Sequence, residues 1–184
     1  MNERKTETLV DNRLRKHGYM RASSGIAVEK QKSDVPRIQK LLEYASKRGH
    51  GAGKPEFLIH PIAHSEFLIV IECKADNRKH VSATLDKYAD YAVDGALLYA
   101  SYLSKEFDVL AIAVSGQTES TYRISHFLHL RGTKKAIPFE GAQDIVSLEE
   151  YYQTFINSDV KFRQDYDALL GYSRDLNEEL QAKK

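Results

Sequence analysis

The sequence predicts an α/β domain built on a mixed central β-sheet flanked by α-helices. Three observations carry this expectation. Residues 56–60 and 66–75 are short apolar runs joined by a turn that begins at Pro61, the pattern of an antiparallel hairpin. Residues 107–115 form a near-continuous apolar run, which suits a strand buried on both faces. Helical periodicity surrounds these runs. The resulting order of helix, hairpin, helix, strand, strand, helix is that of a sheet covered by helices.

Each element has its own signal. Residues 6–16 predict the first helix, because Val10 and Leu14 recur at helical spacing and His17-Gly18 supplies the stop. A short strand is expected at 26–28. Residues 35–47 predict a second helix: Pro36 suits its first turn, Leu41, Leu42 and Ala45 mark its apolar side, and Gly49 ends it. His50-Gly51-Ala52-Gly53-Lys54-Pro55 is a loop by composition. It lacks the spacing and the Ser/Thr of a phosphate-cradling P-loop, but its glycines suit a close approach of DNA to the backbone. After the hairpin, 81–105 predicts a helical region kinked or broken at Asp94-Gly95. Residues 122–130 alternate as a strand does. Residues 147–156 predict a helix, with Ser147 and Glu150 at capping-box spacing. Residues 160–184 predict a long amphipathic helix. The main domain is placed at 1–158, and 159–184 is expected to be a C-terminal helix suited to joining a further domain.

Composition narrows the function. A chain of 184 residues suits one domain with its own core. The net charge of +1 excludes a globally basic binder, so nucleic-acid contact needs a local basic surface or another domain. Lys and Arg concentrate between Arg13 and Lys54. A single cysteine excludes an intramolecular disulfide and fits a reducing compartment. The charged N-terminus has no apolar signal region, and no apolar run is long enough for a bilayer. A cytoplasmic protein without a membrane partner is expected.

The chemistry centres on Ile69-Val70-Ile71-Glu72-Cys73-Lys74. Side chains alternate along a strand, so Glu72 and Lys74 share one face while Ile69, Ile71 and Cys73 share the other. The preceding strand opens with Glu56, and a hairpin would bring the two carboxylates together. Close carboxylates repel unless a cation lies between them. Oxygen ligands of this kind suit a hard ion such as Mg²⁺, with Mn²⁺ as a substitute. Such an ion polarises a phosphodiester and activates water, and Lys74 could orient that water or stabilise developing charge. An acidic residue followed two positions later by lysine is common on solvated strand edges. Here it ends a run too apolar for an exposed edge. Cys73 faces away from Glu72 and reads as a core residue rather than a nucleophile. The seven histidines show no metal-ligand spacing.

"PEFLI", a turn, then "FLIVIECKAD" resembles the core of the PD-(D/E)XK nucleases. The similarity spans roughly 7–130 and is strongest at 53–115. Its nearest counterparts are the N-terminal nuclease domains of type I restriction subunits and of fused restriction–methylation enzymes. The resemblance implies a restriction-endonuclease-like core and Mg²⁺-dependent hydrolysis of duplex DNA. It implies Glu56 and Glu72 as metal ligands, with the Cys73 carbonyl a third, and Lys74 acting on the attacking water. Glu56 stands where the family usually has Asp. The family often carries a glutamate in its first helix that faces the metal; Glu7 matches by position and is expected beside Val10 and Leu14. Many type I domains also carry Gln and Tyr four residues apart in the helix after the lysine, and here Lys87 and Tyr91 fall at that spacing. The implied partners are DNA and a methyltransferase, specificity or translocase domain or subunit, since no Walker or methyltransferase motif is visible in the chain.

Two other classes fit the same residues. One is a non-catalytic DNA-binding or assembly module, because fold does not fix function. The other is a repair or junction nuclease, which near-neutral charge disfavours.

Overall fold

The structure, a computed structural model, describes residues 2–182. The chain divides into two compact units, 1–147 and 148–184.

The first unit is a six-stranded mixed sheet with helices. Its strands, β1 (Ile26–Glu29), β2 (Phe57–Pro61), β3 (Phe67–Lys74), β4 (Asp108–Ser115), β5 (Arg123–His129) and β6 (Ile137–Pro138), lie side by side in chain order. Only β3 and β4 run parallel, and every other neighbouring pair is antiparallel. Every residue of β3 and β4 is buried, as their continuous apolar runs require. The β2–β3 hairpin forms as expected, with Phe57 opposite Ile71 and Ile59 opposite Ile69.

Helix α1 (Glu3–Lys16) is capped by Asn2, whose side chain accepts from the Arg4 amide at 3.0 Å. Thr6, Val10 and Leu14 form its buried stripe, and the turn after it passes through Gly18 at φ +83°. The Thr6 hydroxyl donates to the carbonyls of Lys74 (3.3 Å) and Gly116 (2.8 Å). That pair of bonds pins the first turn of α1 to the C-terminal ends of the two parallel strands. Helix α2 spans Pro36–Leu42 and is shorter than expected, because residues 43–47 turn away from the helix.

The largest departure from expectation lies at 81–91, which is not helical. Helix α3 spans Ala92–Leu103 only. Asp94, fully buried, accepts from the Ser82 amide (3.1 Å), the Ser82 hydroxyl and the Lys87 amide (2.9 Å). Side-chain capture of backbone donors of this kind competes with helix formation. Lys87 and Tyr91 consequently do not share a helix: Lys87 is exposed in a turn, and Tyr91 is the residue before α3. Asp94-Gly95 sits in the first turn of α3 rather than at a break.

One face of the sheet and α3 enclose a core that includes Leu58, Leu68, Val70, Ala96, Tyr99 and Leu103. By alternation Glu72 and Lys74 belong to this same face, at the strand end where the apolar residues stop.

The second unit holds α4 (Leu148–Ile156) and α5 (Asp159–Ala182). Leu148, Tyr151 and Phe155 are buried on α4. Leu169, Leu170, Leu176 and Leu180, expected as an apolar stripe, are exposed on α5. The final two residues of the expected 160–184 helix lie outside the described residues.

Candidate active site

Glu56 immediately precedes β2 and, by the register of the hairpin, lies across from Glu72. The Pro55 carbonyl accepts from the Gln31 amide at 2.9 Å, and the Glu56 carboxylate takes the ladder position, accepting from the Cys73 amide at 3.3 Å. The N–H and C=O of one strand residue leave the same edge, so the Cys73 carbonyl also leaves on the Glu56 side.

Both carboxylates are deeply placed: Glu72 is 0% exposed and Glu56 6%. Neither carboxylate projects into solvent, and the first turn of α3 packs against Glu72. A Cβ on Gly95 would lie 3.0 Å from Cγ of Glu72, so glycine is what lets the first turn of α3 rest against that side chain.

Two ammonium groups meet at a single oxygen. Nζ of Lys74 lies 2.8 Å and Nζ of Lys47 2.6 Å from Oε1 of Glu72. Lys74 also pairs with Glu3 at 3.3 Å. Among the described residues, the other oxygen of Glu72, Oε2, is buried without a hydrogen-bond partner. A bond between the two carboxyls requires a proton on one of them; with both ionised, Oε2 has no donor. Burial, reinforced by the Glu72 charge, pushes the Glu56 carboxyl up to about 9. Burial is the largest single influence on the two lysines and pulls both down, but the surrounding carboxylates, Glu72 foremost and Glu3 with it, together raise both. The Cys73 thiol is pushed up by burial and then by Glu56 and Glu72, which keeps it protonated and unsuited to attack.

The carboxylates therefore share either a proton or a cation. The donor set fits a hard divalent ion: two carboxylates, one with an orphaned oxygen, and a main-chain carbonyl on the same side. Among the described residues no three His, Cys, Asp or Glu side chains are grouped to hold a metal. An ion here would complete its shell with water or a substrate phosphate, as Mg²⁺ commonly does.

On α1, Glu7 is half-buried and lies beside Leu14 at the edge of the Thr6–Val10–Leu14 stripe. It lines the clefts on both sides of the site, but Glu3 is the α1 carboxylate that reaches Lys74. Lys47 and Glu3 were not legible as site residues in the sequence. The only hint was that Lys47 falls in the basic stretch. Lys87 is not at the site; its ammonium lies 5.9 Å from the Tyr91 ring centre, beside Lys79 at 4.7 Å.

Among the described residues no helix is long and apolar enough to cross a membrane. Comparison with protein-family models, with curated proteins and with solved structures finds no match.

Proposed function

We propose that this chain is a Mg²⁺-dependent nuclease domain of the PD-(D/E)XK type that hydrolyses phosphodiester bonds of DNA. The observation that carries the reading is the buried Glu56–Glu72 pair, which leaves one Glu72 oxygen without a donor when both are ionised, beside an ammonium held on the other oxygen. Glu56, Glu72 and the Cys73 carbonyl would hold the ion. The ion, when bound, supplies Lewis-acid polarisation of the phosphodiester and lowers the pKa of water. Lys74 orients the nucleophile and offsets charge developing on phosphorus-bound oxygens. Glu3 and Glu72 fix the Lys74 ammonium from two sides, so it is preorganised rather than free to swing. Glu7, at the rim of both clefts, faces the region where a second ion or the first hydration shell would lie. Near-neutral net charge and the resemblance of the 53–115 segment to restriction subunits support action together with a methyltransferase, specificity or translocase partner.

The test is cleavage of supercoiled and linear DNA with Mg²⁺ or Mn²⁺, comparing the wild type with Glu72→Gln and Lys74→Met. Loss of at least about 10²-fold in rate is expected for each. Equal activity in wild type and both variants would refute the assignment. One observation favours the non-catalytic alternative: Lys47 and Lys74 already compensate Glu72 without any metal. Isothermal titration with Mg²⁺ and Mn²⁺ separates the two readings, since a scaffold of this kind binds neither.

A further inference from the structure

Two clefts meet at the first turn of α1, and their charges differ. One, of about 600 Å³, is lined by Arg4, Lys74 and Lys79 but also by Glu3, Glu7, Asp76 and Asp90. Its lysines are engaged, Lys74 by Glu3 and Glu72 and Lys79 by the Tyr91 ring. The other, of about 510 Å³, runs between α1 and the loop 46–54 and reaches Glu56. There α1 contributes Glu3 and Glu7, while the loop contributes Lys47, Arg48 and Lys54. Arg48 and Lys54 are exposed. Neither side chain has an acidic partner among the described residues. The second cleft therefore has free cations on its loop wall and carboxylates on its helix wall, and of the carboxylate pair Glu56 lines it.

This polarity suits a phosphodiester chain: phosphates against the loop, a divalent ion against the carboxylates. The depth of the pair limits the form of that chain. Glu56 is 6% and Glu72 0% exposed, so a scissile phosphate that reaches the pair from this side must enter the cleft. Its volume is that of a pocket for a small ligand. A duplex is a stiff rod with a persistence length of about 50 nm, whereas an unpaired strand bends into a narrow groove.

We propose that the cleft between α1 and the 46–54 loop receives one unpaired DNA strand, at an end, flap or bubble, with Arg48 and Lys54 on its phosphates. The inference rests on the nuclease reading and narrows its substrate. The test measures binding of a fluorescein-labelled single-stranded oligodeoxynucleotide, and of the blunt duplex of the same sequence, by anisotropy in EDTA over a salt series. The full chain is used as wild type, as Arg48→Glu/Lys54→Glu and as the exposed-surface control Lys134→Glu/Lys135→Glu.

The single strand should bind more tightly than the duplex. Arg48→Glu/Lys54→Glu should weaken it at least about tenfold and flatten the log–log salt slope by about 1.4, near 0.7 for each phosphate no longer neutralised. The control should follow the wild type. Tighter duplex binding, equal losses in both double variants, or no binding at low salt overturns the proposal. Cleavage with Mg²⁺, measured in parallel, separates the two readings. A wild type that cleaves, with Arg48→Glu/Lys54→Glu unimpaired in binding, sinks the cleft alone. A wild type that binds the strand through these residues but cleaves nothing sinks the nuclease reading alone.

Discussion

The Lys47 ammonium lies 2.6 Å from Oε1 of Glu72, across 25 residues of sequence, and shares that oxygen with Lys74. Glu72 is wholly buried, so its charge is sustained by these two cations rather than by water. Removing one partner of a buried pair leaves the other undercompensated, which typically costs about 3 kcal/mol. Lys47→Met should lower stability by about that amount in urea unfolding followed by circular dichroism. Added Mg²⁺ should recover more melting temperature in the variant than in the wild type, because a native-state ligand replaces the missing charge. An unchanged urea midpoint would show that Lys47 is not a counter-ion.

The raised Glu56 pKa makes stability depend on pH in a defined direction. Between its ordinary 4.5 and about 9, the folded protein holds a proton on Glu56 that the unfolded chain releases. The folded state then binds more protons, so stability falls as pH rises through this window, by at most about 1.4 kcal/mol per pH unit. Glu56→Gln, a neutral near-isostere, should remove that slope and be the more stable protein in metal-free alkaline buffer. Mg²⁺ needs the ionised form, so its binding to the wild type at neutral pH should release a proton. Parallel pH profiles for wild type and Glu56→Gln would contradict the assignment.

Gly95 sets two effects of known size against each other. In a helix interior, Gly→Ala normally stabilises by about 1 kcal/mol. Here the new methyl would meet the Tyr88 carbonyl oxygen at 2.9 Å and Cγ of Glu72 at 3.0 Å. Overpacking of this kind costs about 1–3 kcal/mol, so the clash should win and displace Glu72. Gly95→Ala should lower both the melting temperature and Mg²⁺ affinity. A variant more stable than wild type, with unaltered Mg²⁺ binding, would show that the site has slack.

The sequence carried the parts of this architecture that depend on local periodicity. The unbroken apolar run of 107–115 marked β4, and the alternation of Glu72 and Lys74 against Ile71 and Cys73 placed both charges on one face. The Pro55-Glu56 step marked the start of β2. What it did not carry is set by distant contacts. Lys47 joins Glu72 only because the chain after α2 turns back over α3. Glu3 rather than Glu7 meets Lys74 because the Thr6 hydroxyl fixes the rotation of α1 on the ends of β3 and β4. Residues 81–91 have helix-compatible spacing, yet one buried carboxylate later in the chain takes their backbone donors.

That carboxylate yields the last prediction. Asp94 serves the Ser82 amide and hydroxyl and the Lys87 amide, all within a segment with almost no regular structure of its own. The segment also contains Leu85 at φ +59°, a left-handed conformation that a leucine adopts only when its surroundings hold it. The Ser82 hydroxyl reinforces the turn by accepting from the Leu85 amide at 2.9 Å. Asp94→Ala strands these donors, and the cost should be about 3 kcal/mol. Leu85→Asn should act in the opposite sense, since asparagine tolerates the left-handed region, and stabilise by roughly 0.5–1 kcal/mol. The two changes differ in reach as well as sign. Hydrogen exchange should speed up throughout 81–91 in Asp94→Ala, while β3 and β4 amides keep their relative protection. If exchange in 81–91 is unaltered by the loss of Asp94, the segment is held by something other than this carboxylate.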